Sequence, residues 1–173
     1  MANSNQSCDS NNVIDFKIDL ETPLSVETLE KIGFEKACLA FIKANRLDLL
    51  KLSRNQTPPY PWDADACLWA AYGNNLPMLQ YLIENGCPWY ANLYQIAAHE
   101  GYDHIIEYAK SQDSEGLLNE YACSNAAEGG QLETLKLLRS YACPWNSLTC
   151  IQALRNGHHN IYEWAIENGC PCS

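Results

Sequence analysis

The chain has 173 residues, 47% of them hydrophobic, and a formal net charge of −10 at pH 7. That size suits one globular domain or a short array of small units with a continuous apolar core. The charge argues against nucleic acid and anionic membrane as main partners, since both are bound through Lys and Arg that displace counterions.

The chain opens on a polar leader, residues 1–23, whose first dozen residues are Asn- and Ser-rich and read as disordered. It has no apolar h-region, so no secretory signal is expected. No apolar run is long enough to span a bilayer. Val26-Glu-Thr-Leu-Glu-Lys-Ile32 is similar to the later Leu132-Glu-Thr-Leu-Lys-Leu-Leu138, which suggests a half-copy cap at 24–33, started by Ser25 and ended by Gly33.

From there the sequence repeats. Aligning Cys38, Cys67, Tyr94, Cys123 and Cys150 gives steps of 29, 27, 29 and 27 residues. Three and four places on stand small pairs, Ala70-Ala71, Ala97-Ala98 and Ala126-Ala127. Seven places on, each copy has Asn or Gly: Asn45, Asn74, Gly101, Gly130 and Gly157. A fixed period in this range signals stacked units. The copies run 34–62, 63–89, 90–118, 119–145 and 146–173.

Each copy reads as two helices. Asp63, Asn119 and Asn146 are placed to accept hydrogen bonds from the free N–H groups of a first turn, and the second copy's first helix is expected over Ala64–Tyr72. Paired alanines let a neighbouring helix approach closely. The Asn/Gly position needs positive φ for the chain to reverse. The second helices carry Leu76, Leu79, Leu82 and Ile83, or Leu132, Leu135 and Leu138, or Ile161, Trp164 and Ile166, at helical spacing. Pro77 sits harmlessly in a first turn. Asn85-Gly86 and Asn168-Gly169 stop two of these helices, whereas the fourth copy has Ala142 in the Gly slot, so its turn is expected to be strained or differently built. Copies one and three carry longer loops at Ser53–Tyr60 and Ser111–Leu117.

The nine cysteines do not read as a disulfide framework. Cys87, Cys143 and Cys170 hold one place in the period, and Cys38, Cys67, Cys123 and Cys150 another, so they read as reduced core thiols of a cytoplasmic or nuclear protein. Trp62, Trp89, Trp145, Tyr81 and Tyr108 also fall at recurring apolar positions. His158-His159 with Cys170 and Cys172 is the one cluster resembling metal ligands, but it lacks the paired spacing of a zinc site, and no metal or cofactor is expected. His99-Glu100 has no nucleophile in a recognisable arrangement, and no phosphate loop is present, so no catalytic residues are expected.

Ala-Ala-x-x-Gly, an apolar second helix and Gly-Cys in the slot for Gly-Ala resemble the ankyrin repeat. Gly86-Cys-Pro-Trp89 and Asn168-Gly-Cys-Pro171 are similar in particular to the short Cys-Pro-Trp ankyrin repeats of giant DNA viruses of amoebae and of protists; a viral source would place the chain in host cytoplasm. The resemblance covers 34–173. It implies an all-α ankyrin-like solenoid of about five degenerate helix pairs. The Thr-Pro-Leu-His opening is absent, and Tyr94 follows Trp89 by only five positions, so the β-hairpin fingers should be reduced to stubs.

The resemblance also implies that residues just before each Asn/Gly turn face a concave groove. Those are Lys43, Tyr72, His99, Glu100, Glu128, Arg155 and Asn156, a set rich in types that bind well at interfaces. The expectation is a non-enzymatic protein–protein interaction module. No Lys or Arg lies between Asn55 and Ala109, while Asp63, Asp65, Glu84, Glu100, Asp103 and Glu107 are acidic, which suits a basic partner surface and equally a plain solubility charge. The alternative is self-association through an apolar last copy, Ile161, Tyr162, Trp164 and Ile166.

Overall fold

A computed structural model describes residues 34–113 and 115–172, and these are all-α with no strand among them. The leader and the half-copy at 24–33 lie outside the described residues. The helices are α1 (Phe34–Lys43), α2 (Leu47–Arg54), α3 (Ala64–Tyr72), α4 (Leu76–Glu84), α5 (Asn92–Glu100), α6 (Asp103–Gln112), α7 (Glu120–Glu128), α8 (Leu132–Ser140), α9 (Ser147–Arg155) and α10 (His159–Glu167).

Each sequence copy is one helix pair. Where Asp63, Asn119 and Asn146 begin α3, α7 and α9, the backbone is extended and the side chain accepts from the N–H two residues on. The turn inside each pair falls on the Asn/Gly position. Asn45, Asn74, Gly101, Gly130 and Gly157 all have positive φ, between 52° and 77°. That is the left-handed region that Gly enters freely and Asn tolerates. Pro77 occupies the first turn of α4, where no hydrogen bond is lost.

The odd-numbered helices touch in succession, α1 on α3, α3 on α5, α5 on α7 and α7 on α9, and each packs on its own even-numbered partner. Ala70, Ala71, Ala97, Ala98, Ala126 and Ala127 are buried along this row. Leu79, Leu82, Ile105, Ile106, Leu135, Leu138 and Ile161 bring the second helices into the same core. Burying one such side chain is worth about 1.5–3 kcal/mol, so every pair depends on its neighbours for cover.

Side chains at the start of the second helices tie one pair to the next. Asn75 donates to the Asn45 side chain, Gln131 to the His99 carbonyl at 3.3 Å, and His158 Nε2 lies 3.1 Å from the Glu128 carbonyl. Gly129 makes the fit possible, since a Cβ there would stand 1.9 Å from the His99 oxygen. One layer out, the Thr134 hydroxyl donates to Asp103 at 2.6 Å.

The loops closing the second helices also recur. The Cys87, Cys143 and Cys170 thiols donate to the carbonyls of Asp63, Asn119 and Asn146 at 3.2, 3.2 and 3.3 Å, the same residues whose side chains start the first helices. Gly86, Ala142 and Gly169 all turn at positive φ (79°, 57° and 82°). The fourth turn is therefore built like the others, with an alanine in a backbone region that strains it. Two residues past Tyr60, Cys87 and Cys143 stands a half-buried Trp, and two past Cys170 stands Cys172. Trp62 meets Tyr81, and Trp145 meets Trp164, edge to face at 6.3 and 5.8 Å. Arg54 and Arg139 lie over Trp62 and Trp145 at 3.9 and 4.2 Å and donate to the carbonyls of Tyr60 and Cys143.

Copy three departs from this scheme. Its anchor is Tyr94, whose hydroxyl donates to Asp113 at 3.1 Å. Asp113 also accepts from the N–H groups of Gly116 and Leu117, which shapes the longer loop. Burial opposes the charge, but these hydrogen bonds outweigh it and hold the Asp113 carboxyl below its ordinary range.

Candidate functional site

The residues expected in a groove all stand at the C-terminal ends of the odd-numbered helices or one residue beyond. Lys43, Tyr72, Glu100, Arg155 and Asn156 are exposed, and His99 and Glu128 are half-buried. The row is not uniform, and only part of it assembles into something a ligand can use.

The α1–α3 end does. Lys43 Nζ lies 3.8 Å from the centre of the Trp69 ring, and Trp69 leans on Tyr72 with centroids 5.7 Å apart. Trp69 and Tyr72 are nevertheless 40% and 55% exposed, a large apolar area left facing water. With Ile42, Asn45, Gly73 and Asn75 they line a cavity of about 470 Å³. Trp69 was absent from the expected set. Its signal is visible in the sequence, since it precedes Tyr72 by three residues and so shares its helix face.

Further along, the same positions are committed to holding the fold. His99 pairs with its neighbour Glu100 at 2.9 Å, and its carbonyl accepts from Gln131. The Glu128 carboxylate accepts from Gln152 at 3.1 Å, and its carbonyl faces His158. Asn156 turns back to the Gln152 carbonyl at 2.9 Å, which leaves Arg155 as the outward group of the last copy.

A second cavity, about 330 Å³, lies between the Gly86–Tyr90 loop and Gln112, Asp113, Glu115 and Leu117. Its central carboxylate, Asp113, is already engaged by three donors, so it offers little to a ligand.

The cysteines divide in two. Among the described residues six are buried free thiols: Cys38, Cys67, Cys87, Cys123, Cys143 and Cys170. Hydrogen bonding to the partner thiol and burial push Cys67 and Cys123 far up from the ordinary thiol range, so both stay protonated. The expectation that every thiol is reduced is corrected at the last copy, where Cys150 and Cys172 form a disulfide. Cys172 stands where other copies carry Trp, and the loop brings its Cα within 5.5 Å of Cys150, inside bridging range. The His158-His159-Cys170-Cys172 grouping does not assemble. The cysteines gather with Cys150 instead, and His158 faces Glu128.

No helix among the described residues is long and apolar enough to cross a membrane. No protein-family model matches the chain, and no curated protein does.

Proposed function

We propose that this chain is a non-enzymatic repeat scaffold that binds another protein along the row of odd-helix ends. More specifically, we read it as an ankyrin-like solenoid with its hairpin fingers reduced to tight loops. Five helix pairs at a 27–29-residue period, each turning at positive φ, support the architecture. The observation that carries the binding role is the exposed Trp69–Tyr72 pair beside Lys43, opening onto its cavity at the α1–α3 joint. Aromatic side chains of this kind anchor interfaces, because they bury large area at low entropic cost. The stretch free of Lys and Arg, which includes α3, α4 and α5, favours a partner whose facing surface is basic.

The test is affinity capture from the native cell with the parent and with a Trp69→Ala, Tyr72→Ala variant. Removal of central aromatic anchors costs about 2 kcal/mol or more, a loss of roughly 30-fold in affinity. Specific partners should drop out while the circular-dichroism spectrum is unchanged. The same proteins captured at the same yield would reject the groove.

Self-association through the last copy rests on a smaller surface than the sequence suggested. Ile161 is buried and Tyr162 and Trp164 are half-buried, which leaves Ile166 with Ile151 and Leu154 exposed. A monomeric mass at all dilutions in light scattering would exclude it.

A further inference from the structure

Cys150, Cys170 and Cys172 hold their sulfurs within 4.8 Å of one another, and no other trio of metal-capable side chains meets this way among the described residues. Two of the three follow the period. Cys150 and Cys170 are the counterparts of Cys67 with Cys87 and of Cys123 with Cys143, buried pairs whose packing role is shared by every such copy. The third does not. Cys172 occupies the place of Trp62, Trp89 and Trp145, and core packing gives no reason to exchange a Trp for a thiol there. The exchange turns a two-sulfur packing contact into a three-sulfur cluster with one half-buried member and two that are 2% and 7% exposed.

We propose that the three cysteines, when reduced, chelate one soft monovalent ion, Cu(I), and that the Cys150–Cys172 disulfide is the oxidised state of the same site. Thiolates select soft d10 ions, and three of them complete a trigonal shell. A structural zinc site needs a fourth protein ligand. The nearest imidazole in sequence, His158, is turned instead to the Glu128 carbonyl at 3.1 Å. A thiol reductant delivers two electrons and two protons to the disulfide, is itself oxidised to a disulfide, and leaves Cys150 and Cys172 as thiols beside the Cys170 thiol. Cu(I) then displaces three S–H protons to solvent as three Cu–S bonds form. The loaded site carries two net negative charges. Arg139 is the cation that acts on Cys170 and offsets part of them. The Cys170 thiol must first release the Asn146 carbonyl, to which it donates at 3.3 Å.

The inference is independent of the groove. It is tested on the full chain, reduced by a phosphine under anaerobic conditions, with Cu(I) supplied from a colorimetric chelator. The reduced parent should withhold one equivalent of Cu(I), and X-ray absorption should count three sulfurs around it. The oxidised parent should withhold none. Losing an outer-shell partner costs roughly 10–100-fold in affinity, so losing a ligand through Cys172→Ser or Cys172→Trp should weaken binding by more than about a hundredfold. The Trp variant restores the residue of the other copies, and circular dichroism confirms that it folds. Retention by either variant at parental affinity would overturn the proposal, because the buried pairs would then be the ligands. Two sulfurs or fewer in the parent would overturn it without any variant, and displacement of Cu(I) by equimolar Zn(II) would overturn the choice of ion.

Discussion

Replacing Ala142 by glycine should stabilise this protein. Ala142 is exposed and turns at φ 57°, in the place where α4 and α10 are followed by Gly86 and Gly169. The hydrogen bonds of the turn are those of its glycine counterparts. Ala142 and Cys143 donate to the Arg139 and Leu138 carbonyls at 3.0 and 3.1 Å, against 3.0 and 2.9 Å for Gly86 and Cys87 on Ile83 and Leu82. No contact is therefore gained by the substitution, and what changes is the conformational cost. A left-handed alanine costs about 1–2 kcal/mol. Glycine returns about 0.4–1 kcal/mol of that through the greater freedom of its unfolded chain. The net gain is about 0.5–1 kcal/mol, or about 1–4 °C in melting temperature for a chain of this length.

Urea titration followed by far-UV circular dichroism, under reducing conditions that fix the state of Cys150 and Cys172, should show a higher midpoint at unchanged slope. Gly86→Ala supplies the reverse case. A Cβ built at Gly86 meets nothing within 4 Å, so its penalty is conformational alone and should match in size with opposite sign. An Ala142→Gly midpoint at or below the parent's, alongside a neutral Gly86→Ala, would refute the account of these turns.

Ala126→Asp places an unpaired carboxylate at a fully buried position, a cost of several kcal/mol against a typical total of about 5–15, and should abolish the helical melt in circular dichroism. Gly129→Ala drives a methyl into the His99 carbonyl and should cost about 1–3 kcal/mol in urea midpoint. Asp113→Asn weakens the acceptor for Gly116, Leu117 and Tyr94 and should cost about 1–3 kcal/mol at neutral pH. Because the folded Asp113 carboxyl is held below its ordinary value of 3.8, its contribution is complete above that value and fades as pH falls through the lower folded one. The variant should accordingly lose less stability on acidification than the parent.

The features legible in the sequence were those set by local backbone chemistry. The five positive-φ turns, the caps at Asp63, Asn119 and Asn146, and the bounds of α3 follow from what Asn, Gly and Asp do within a few residues. The side-chain ties between copies were not legible. Gln131 reaching His99 and His158 reaching Glu128 span 32 and 30 residues, and only the stacking distance decides whether they meet. Ala142 was half-read: the strain was visible, but not that the turn keeps its form. Cys172 was misread because it was grouped with the histidines before it, while its true neighbour, Cys150, precedes it by 22 residues across a helix pair.

The position of the aromatic patch has a cause in the same period that builds the fold. Where α3, α5 and α7 carry Ala-Ala, α1 carries Phe41-Ile42, so the first joint is packed on larger side chains. Helices α5, α7 and α9 make the more extensive contacts, helped by Gly129 against His99, and the α1–α3 and α3–α5 contacts are slighter and alike. Ile42 itself lines the cavity with Lys43, Trp69 and Tyr72, and we infer that this bulk holds the cavity open. A Phe41→Ala, Ile42→Ala variant should therefore do more than lose buried area. If the first joint closes onto the small residues, the cavity collapses and Trp69 becomes less exposed, which blue-shifts tryptophan emission and reduces acrylamide quenching. Emission that stays put or shifts to the red would show that the bulk of Phe41 and Ile42 is not what holds the cavity open.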